Sequence, residues 1–282
     1  MDSPAGQVWC NGALVGTAAA TVPFDDHGLV VGDGVFETLA TRRGRPYGIR
    51  RHLERLRRSA AGLGLSLTVD DATLRDAIEA VTAAHPHGGD GRELRIRVTV
   101  TGGRAPLGSA RGDGPPTVVI AAGPLAPPAP SARVVVVPWP RNERGALAGL
   151  KTTSYAENVL ALEHAHRHGG DEAVFANTVG ELCEGTGSNV FVVVDGRAVT
   201  PPLSSGCLAG VTRALVLEAG LAVEAPLPLA ALLHAEEAFL TSTTRLGQPI
   251  SHVDGRALSP PGPCTRRVQQ ALEALLDADP DA

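Results

Sequence analysis

The sequence holds one lysine, Lys151, and all the other basic residues among its 25 are arginines. A guanidinium supplies charge but stays protonated in proteins, so it cannot attack a carbonyl. A primary amine can, and that is the chemistry of a Schiff-base lysine. The ordinary alternative is a surface lysine left in an arginine-biased composition. Residues further along bear on the choice. Glu184 sits in the Gly-rich turn Glu181-Leu182-Cys183-Glu184-Gly185-Thr186-Gly187-Ser188-Asn189. Gly210-Val211-Thr212-Arg213 opens a helical pattern ending at Gly220, which leaves backbone N–H groups at 211 and 212 as a ready anion site. Thr241-Ser242-Thr243-Thr244-Arg245 is a hydroxyl cluster at a strand end. Each has a plain structural reading alone, as turn acid, helix cap and strand-end hydroxyls. Together an amine, an acid, an anion site and hydroxyls fit a phosphorylated carbonyl compound.

Composition narrows the classes. With 282 residues, 43% hydrophobic and 20% charged, the chain can bury a core as one large or two medium domains. A net charge of −5 and 3% aromatics argue against a nucleic-acid groove, which wants a basic face and stacking rings. No apolar run reaches the ~20 residues of a membrane span. Met1-Asp2-Ser3-Pro4 lacks the basic and apolar regions of a signal peptide. Cys10, Cys183, Cys207 and Cys264 form no CxxC and read as reduced, semi-buried thiols, so a cytoplasmic location is expected. His164 and His168 share a helix face without a carboxylate or cysteine partner, and no metal is expected.

The elements that must position these residues follow from pattern. Asn11-Gly12, Arg43-Gly44 and Asp254-Gly255 mark turns between strands. The glycines of Gly32-Asp33-Gly34 allow backbone to pass close to another element or a ligand. A helix over 50–60 carries the apolar stripe Leu53, Leu56, Ala60 and Leu63, and a second, capped by Asp70 or Asp71, covers 72–84. Strands are predicted over 94–101, 117–121, 133–137, 172–176, 190–194 and 237–240. A helix over 154–165 is predicted to turn Val159, Leu160 and Leu162 to the core, and another closes the chain near 265–276. The Pro-rich run at 123–130 is the clearest linker. The expected division is an N-terminal α/β domain over 1–122, a linker over 123–132 and a larger C-terminal domain over 133–282.

Pyridoxal phosphate (PLP) needs all four features: a lysine for its aldehyde, a carboxylate for its pyridine nitrogen, and N–H groups, hydroxyls and arginine for its phosphate. In Lys151-Thr152-x-x-Tyr155, Glu184-Gly185-x-x-x-Asn189-Val190-Phe191, Leu208-x-Gly210-Val211-Thr212-Arg213 and His52-x-x-Arg55-Leu56, the chain resembles the fold-type IV, or class IV, PLP-dependent aminotransferases. That family includes branched-chain aminotransferases, D-amino-acid aminotransferases and aminodeoxychorismate lyases. The resemblance runs from Gly32 to Gly255. It implies two α/β domains with the cofactor in the cleft between them, in a homodimer whose partner helps wall the pocket. It implies Lys151 as Schiff-base and proton-transfer lysine, Glu184 at the pyridine nitrogen, and Arg55, rather than Arg50 or Arg51, on the phosphate. Val211 and Thr212 match the phosphate-binding helix start, Thr243 and Thr244 its neighbours, and Tyr155 the residue near the phenolic oxygen.

Within the family, Gly32-Asp33-Gly34-Val35-Phe36-Glu37-Thr38 is similar to the lyases and D-amino-acid enzymes, whereas branched-chain enzymes more often carry Gly where this chain has Thr38. Thr38 therefore enters as a pocket-facing, catalytic candidate. The expected activity is 4-amino-4-deoxychorismate lyase, releasing pyruvate and 4-aminobenzoate for folate synthesis, with Arg104 and Arg245 as candidate carboxylate anchors. The alternative is a branched-chain or D-amino-acid aminotransferase using 2-oxoglutarate. A non-catalytic PLP-binding protein ranks last, since it would not need Lys151 and Glu184 together.

Overall fold

The computed structural model describes residues 6–87, 91–258 and 260–281; the Met1-Asp2-Ser3-Pro4 stretch lies outside them. The chain forms two compact units. One contains the described residues up to Ala126, Leu150–Tyr155 and those from Pro280 on; the other contains Pro127–Gly149 and Ala156–Asp279.

In the first unit Asn11 and Gly12, at φ 48° and 96°, join β1 (Gln7–Cys10) to β2 (Ala13–Gly16). A short helix, α1 (His27–Val31), precedes β3 (Gly34–Arg42), which Arg43-Gly44 turns into β4 (Arg45–Pro46). Next come α2 (Ile49–Leu63), α3 (Asp71–Ala84), β5 (Leu94–Thr101) and β6 (Thr117–Pro124). Asp70 caps α3 by accepting from Thr73 N at 2.7 Å. The strands form an antiparallel sheet in the order β2-β1-β6-β5-β3-β4. Side chains alternate across a strand. Val35 and Leu39 of β3 and Ile96 and Val98 of β5 therefore share a core with Leu53 and Leu56 of α2 and Leu74 and Ile78 of α3. Each such burial stabilises by roughly 1.5–3 kcal/mol. Phe36, Thr38 and Arg97 project from the opposite face.

The division departs from one drawn through the prolines alone. Gly123 and Pro124, assigned above to the linker, pair with Arg95 and Leu94 and complete β6. Lys151, assigned above to the C-terminal domain, lies with the first unit. The cause is backbone pairing: Phe36 N donates to Lys151 O at 2.9 Å and Thr153 N to Gly34 O at 2.8 Å. Residues from Pro280 return as well, with Gly48 N donating to Pro280 O at 2.6 Å.

The second unit runs β7 (Ala132–Val136), α4 (Ala156–Arg167), β8 (Glu172–Ala176), β9 (Leu182–Gly185), β10 (Asn189–Val194), β11 (Arg197–Thr200) and α5 (Val211–Glu218). It continues through β12 (Ala222–Glu224), α6 (Leu229–Leu233), β13 (Ala238–Ser242), β14 (Arg245–Val253), β15 (Arg256–Ala257) and α7 (Pro263–Ala278). The sheet order is β12-β11-β10-β13-β14-β7-β8-β9, with β15 beside β14. The pairs β11–β12, β14–β7 and β7–β8 are parallel, so the sheet is mixed. Val134 and Val174 face a core shared with Leu232 of α6, while Val135, Ala173 and Phe175 face Ala161 and Ala165 of α4.

The face of α4 differs from expectation. Asn158, Ala161 and Ala165 are buried, while Val159 and Leu160 are 62% and 63% exposed. Two alanines four residues apart let the helix sit close on the sheet, so Val159 and Leu160 turn away while Leu162 is half-buried. No helix among the described residues is long and apolar enough to cross a membrane.

Candidate active site

Lys151 is held against the start of β3. Thr152 bridges to Val35, and the Thr153 and Ser154 hydroxyls donate to Gly32 O at 2.9 and 3.0 Å. This approach needs glycine. A Cβ on Gly34 would lie 2.8 Å from both Thr153 Oγ1 and Val100 O, and one on Gly32, at φ 72°, would lie 2.9 Å from Ser154 Oγ. The Lys151 amine lies 4.5 Å from the Phe36 ring centroid, and Tyr155 meets that ring edge-on at 5.3 Å. The Arg97 guanidinium lies 3.3 Å from the same centroid. Desolvation pulls Arg97 down to about 10, which leaves it cationic at neutral pH. Its Nε donates to Thr99 Oγ1 at 3.3 Å, and no carboxylate among the described residues pairs with it. Thr38 stands opposite Arg97 in the β3–β5 register.

On α2, Arg50 is exposed and pairs with Glu54, Arg51 is half-buried, and Arg55 is 5% exposed. Arg55 Nε and Nη2 donate to the two Glu37 oxygens at 2.7 Å each, and His52 Nδ1 meets Glu37 Oε2 at 2.7 Å.

In the second unit, Glu184 Oε2 accepts from Leu208 N at 2.8 Å, and Arg141 Nε lies 3.7 Å from its Oε1. Arg141 stacks on Phe175 at 4.0 Å and donates to Asn158 Oδ1 at 2.9 Å and to Glu157. α5 starts at Val211 behind Gly210, without a side-chain cap, so its first N–H groups lack intrahelical partners. Val211 and Thr212 are 8% and 3% exposed, and α5 packs on β13. At the end of β13, Thr243 and Thr244 form the two-residue turn into β14. The buried Thr241 Oγ1 has no hydrogen-bond partner among the described residues.

The family described as Amino-transferase class IV matches residues 34–253. The chain belongs to the class IV aminotransferases. Among class IV relatives, the D-alanine aminotransferase of Bacillus licheniformis is 30% identical over 276 residues, covering 95% of this chain and 96% of that protein. The branched-chain aminotransferase of Thermoproteus uzoniensis, solved with norvaline, superposes with TM-score 0.86 at 30% identity, covering 97% of this chain and 96% of that one. A hypothetical aminotransferase from Mycobacterium tuberculosis, solved in its PLP-bound form, gives TM-score 0.82 at 27% identity, covering 97% and 99%. Class IV aminotransferases are PLP-dependent enzymes, and this chain is one of them. Its residues fit that group. The sole lysine presents its amine over an aromatic ring, and the second unit keeps an uncapped helix start, an orphaned buried hydroxyl on Thr241 and the Glu184 carboxylate.

Arg104, 67% exposed at the side chain, is bound to Asp25 at 2.9 Å, and Arg245 is bound to the buried Glu172. Each of these arginines thus has a carboxylate partner within the chain. The residues missed are Arg97, Glu37, His52 and Arg141. For Arg97 a signal existed: the alternation Leu94-Arg95-Ile96-Arg97-Val98 puts it on the face of β5 away from the core.

Proposed function

We propose that this class IV enzyme is an amino-acid aminotransferase of the branched-chain or D-amino-acid type, exchanging its amino group with 2-oxoglutarate. What carries the reading is the packing of the Lys151 amine and the Arg97 guanidinium on the one Phe36 ring. An α-amino acid bears its amine and carboxylate on one carbon, and a 2-oxo acid presents a carbonyl and carboxylate in the same way. A reactive amine and an arginine that pairs with no carboxylate among the described residues, both packed on one ring, suit both.

PLP, when bound, supplies the aldehyde that takes up the substrate's amino group and the ring that accepts electrons as the Cα–H bond breaks. Lys151 Nζ would move the proton at the substrate Cα. Arg97 would orient the substrate carboxylate, with Thr38 beside it, and Tyr155 would buttress the Phe36 ring. Glu184 would hold a proton at the pyridine nitrogen, its own position set by Leu208 N and Arg141. Arg55, the helix start at Val211 and Thr212, and the Thr243-Thr244 turn would hold the phosphate.

The aminodeoxychorismate lyase reading rests on Thr38 and gains no support from the named relatives, which are aminotransferases. The test is direct. PLP-loaded protein is incubated with 2-oxoglutarate and a panel of L- and D-amino acids, and glutamate formation is followed. A parallel incubation with aminodeoxychorismate follows pyruvate and 4-aminobenzoate. Glutamate from apolar donors supports the proposal; aromatic product without a 2-oxo acid would return the chain to the lyases, and neither product would leave a PLP-binding protein. We further propose a cytoplasmic homodimer. Free cysteines fit a reducing compartment, and the exposed Phe24, Leu29 and Leu107 on the first unit fit a covered surface. Light scattering of the purified protein tests the assembly.

A further inference from the structure

Glu37 is a wholly buried carboxylate that none of the roles above uses. It sits on β3 between Val35 and Leu39, on the face turned to α2, and it meets His52 and Arg55, which lie three residues apart on that helix. Glu37 and His52 are 0% exposed. Burial by itself would drive Glu37 toward its neutral form. The Arg55 charge, its hydrogen bonds and His52 outweigh burial and hold the carboxyl well below the usual range. Burial dominates at His52 and keeps its pKa low, so the ring is neutral with its proton on Nδ1, donated to Glu37. The three side chains together carry no net charge.

That balance changes what Arg55 can contribute. A guanidinium neutralised by a buried partner adds little net attraction for a phosphate; its value lies in where its N–H groups point. A bidentate pair fixes the guanidinium plane, because two parallel bonds remove rotation about the side chain's last torsions. His52 in turn fixes the carboxylate.

We propose that Glu37 is a positioning residue for Arg55, aiming the guanidinium at the cofactor's phosphate and so setting the preference for phosphorylated over unphosphorylated pyridoxal. The proposal rests on the assignment of Arg55 to the phosphate, and the experiment separates the two. Apo forms of the wild type, Glu37→Gln, Glu37→Asp and Arg55→Gln are titrated by absorbance with PLP and, separately, with pyridoxal. The readout is the pyridoxal dissociation constant divided by that of PLP, which measures the preference for the phosphate.

The expected result is that Glu37→Gln lowers this ratio roughly tenfold or more, the scale of a charge-assisted hydrogen bond, with pyridoxal affinity little changed. It should do so although it adds net positive charge. Glu37→Asp, which keeps the charge but draws the carboxylate back by one methylene, should lower the ratio too. A ratio that is unchanged or raised in Glu37→Gln, or preserved in Glu37→Asp, overturns the positioning role. So does an equal loss of affinity for both ligands, which is what a purely structural ion pair would give. If Arg55→Gln keeps the wild-type ratio, the phosphate assignment itself fails; if it loses the ratio while the Glu37 variants keep it, only the Glu37 proposal fails. Should Glu37→Gln not fold, His52→Phe removes one bond to the same carboxylate and must lower the ratio in the same direction, or the proposal falls.

Discussion

The backbone N–H of Phe36 donates to the carbonyl of Lys151 at 2.9 Å, so the strand that supplies the ring also sets the amine above it. Because that bond is made by backbone, replacing the ring leaves the lysine in place. Borohydride treatment of the PLP-loaded enzyme should attach the cofactor to Lys151, the only side-chain amine in the sequence. Peptide mapping should find the label there in the wild type and in Phe36→Leu, and nowhere in Lys151→Ala, whose turnover should be lost. A label confined to the α-amino group would refute the role given to Lys151.

Arg97 should act on substrate and leave the cofactor alone. Arg97→Leu removes the guanidinium and keeps an apolar stem on Phe36. KM for both the amino acid and 2-oxoglutarate should rise by roughly tenfold to a hundredfold, the range for a lost charge-assisted bond. PLP affinity should hold. Arg104→Leu and Arg245→Leu provide the contrast, since their charges are spent on Asp25 and Glu172. A KM unchanged in Arg97→Leu would place the substrate carboxylate elsewhere.

Glu184 and Arg141 form a linked pair in the second unit. Glu184→Gln keeps the shape and the bond from Leu208 N but removes the charge opposite the pyridine nitrogen. Turnover should fall by orders of magnitude, where each ~1.4 kcal/mol of barrier is tenfold. Arg141→Met keeps the packing on Phe175 and frees Glu184 from its cation, so it should lower kcat less than Glu184→Gln does. Stopped-flow single turnovers distinguish this from slower product release. Equal kcat in Glu184→Gln and wild type would mean that another acid serves the ring.

Much of the candidate site is legible in the sequence because its parts are local. Lys151 stood out by being unique, and Gly210 through Thr212 by a cap followed by helical spacing. The turn residues Asn11-Gly12 and Asp254-Gly255 take the positive φ values that such pairs favour. What stayed hidden depends on side chains meeting across distance in sequence. Glu37 and Arg55 are separated by a turn and half a helix, and only the β3–α2 packing joins them. Arg104 looked available because Asp25 is far away in the chain. Val159 and Leu160 looked like core because apolar type does not tell which face of α4 the alanines will seat. The residues 150–155 looked like part of the second domain because strand pairing with β3 has no signature in their own sequence.

His27 gives a pH test away from the residues assigned to chemistry. It is 2% exposed; its Nδ1 lies 2.6 Å from Asp33 Oδ2 and its Nε2 2.9 Å from Gly108 O. A carboxylate and a carbonyl are both acceptors, so satisfying both ring nitrogens requires the imidazolium. The hydrogen bond to Asp33 raises the His27 pKa, against an opposing push from burial and from the Arg111 charge. Arg111 holds Asp33 bidentately at 2.7 Å and also donates to Leu63 O and Gly64 O at the end of α2. The other acid beside α1, Asp26, caps the helix at Gly28 N and accepts from Thr101 and Thr117. Since the folded pKa lies above the unfolded value of ~6.5, the imidazolium's contribution to stability is complete below that pH and is lost as pH rises through the folded value. Melting temperatures of wild type and His27→Gln, measured from pH 5.5 to 9, should differ most at the acid end and converge on the alkaline side. A gap that is constant across the range would mean that His27 packs as a neutral ring, and a gap that widens with pH would reverse the sign of the linkage.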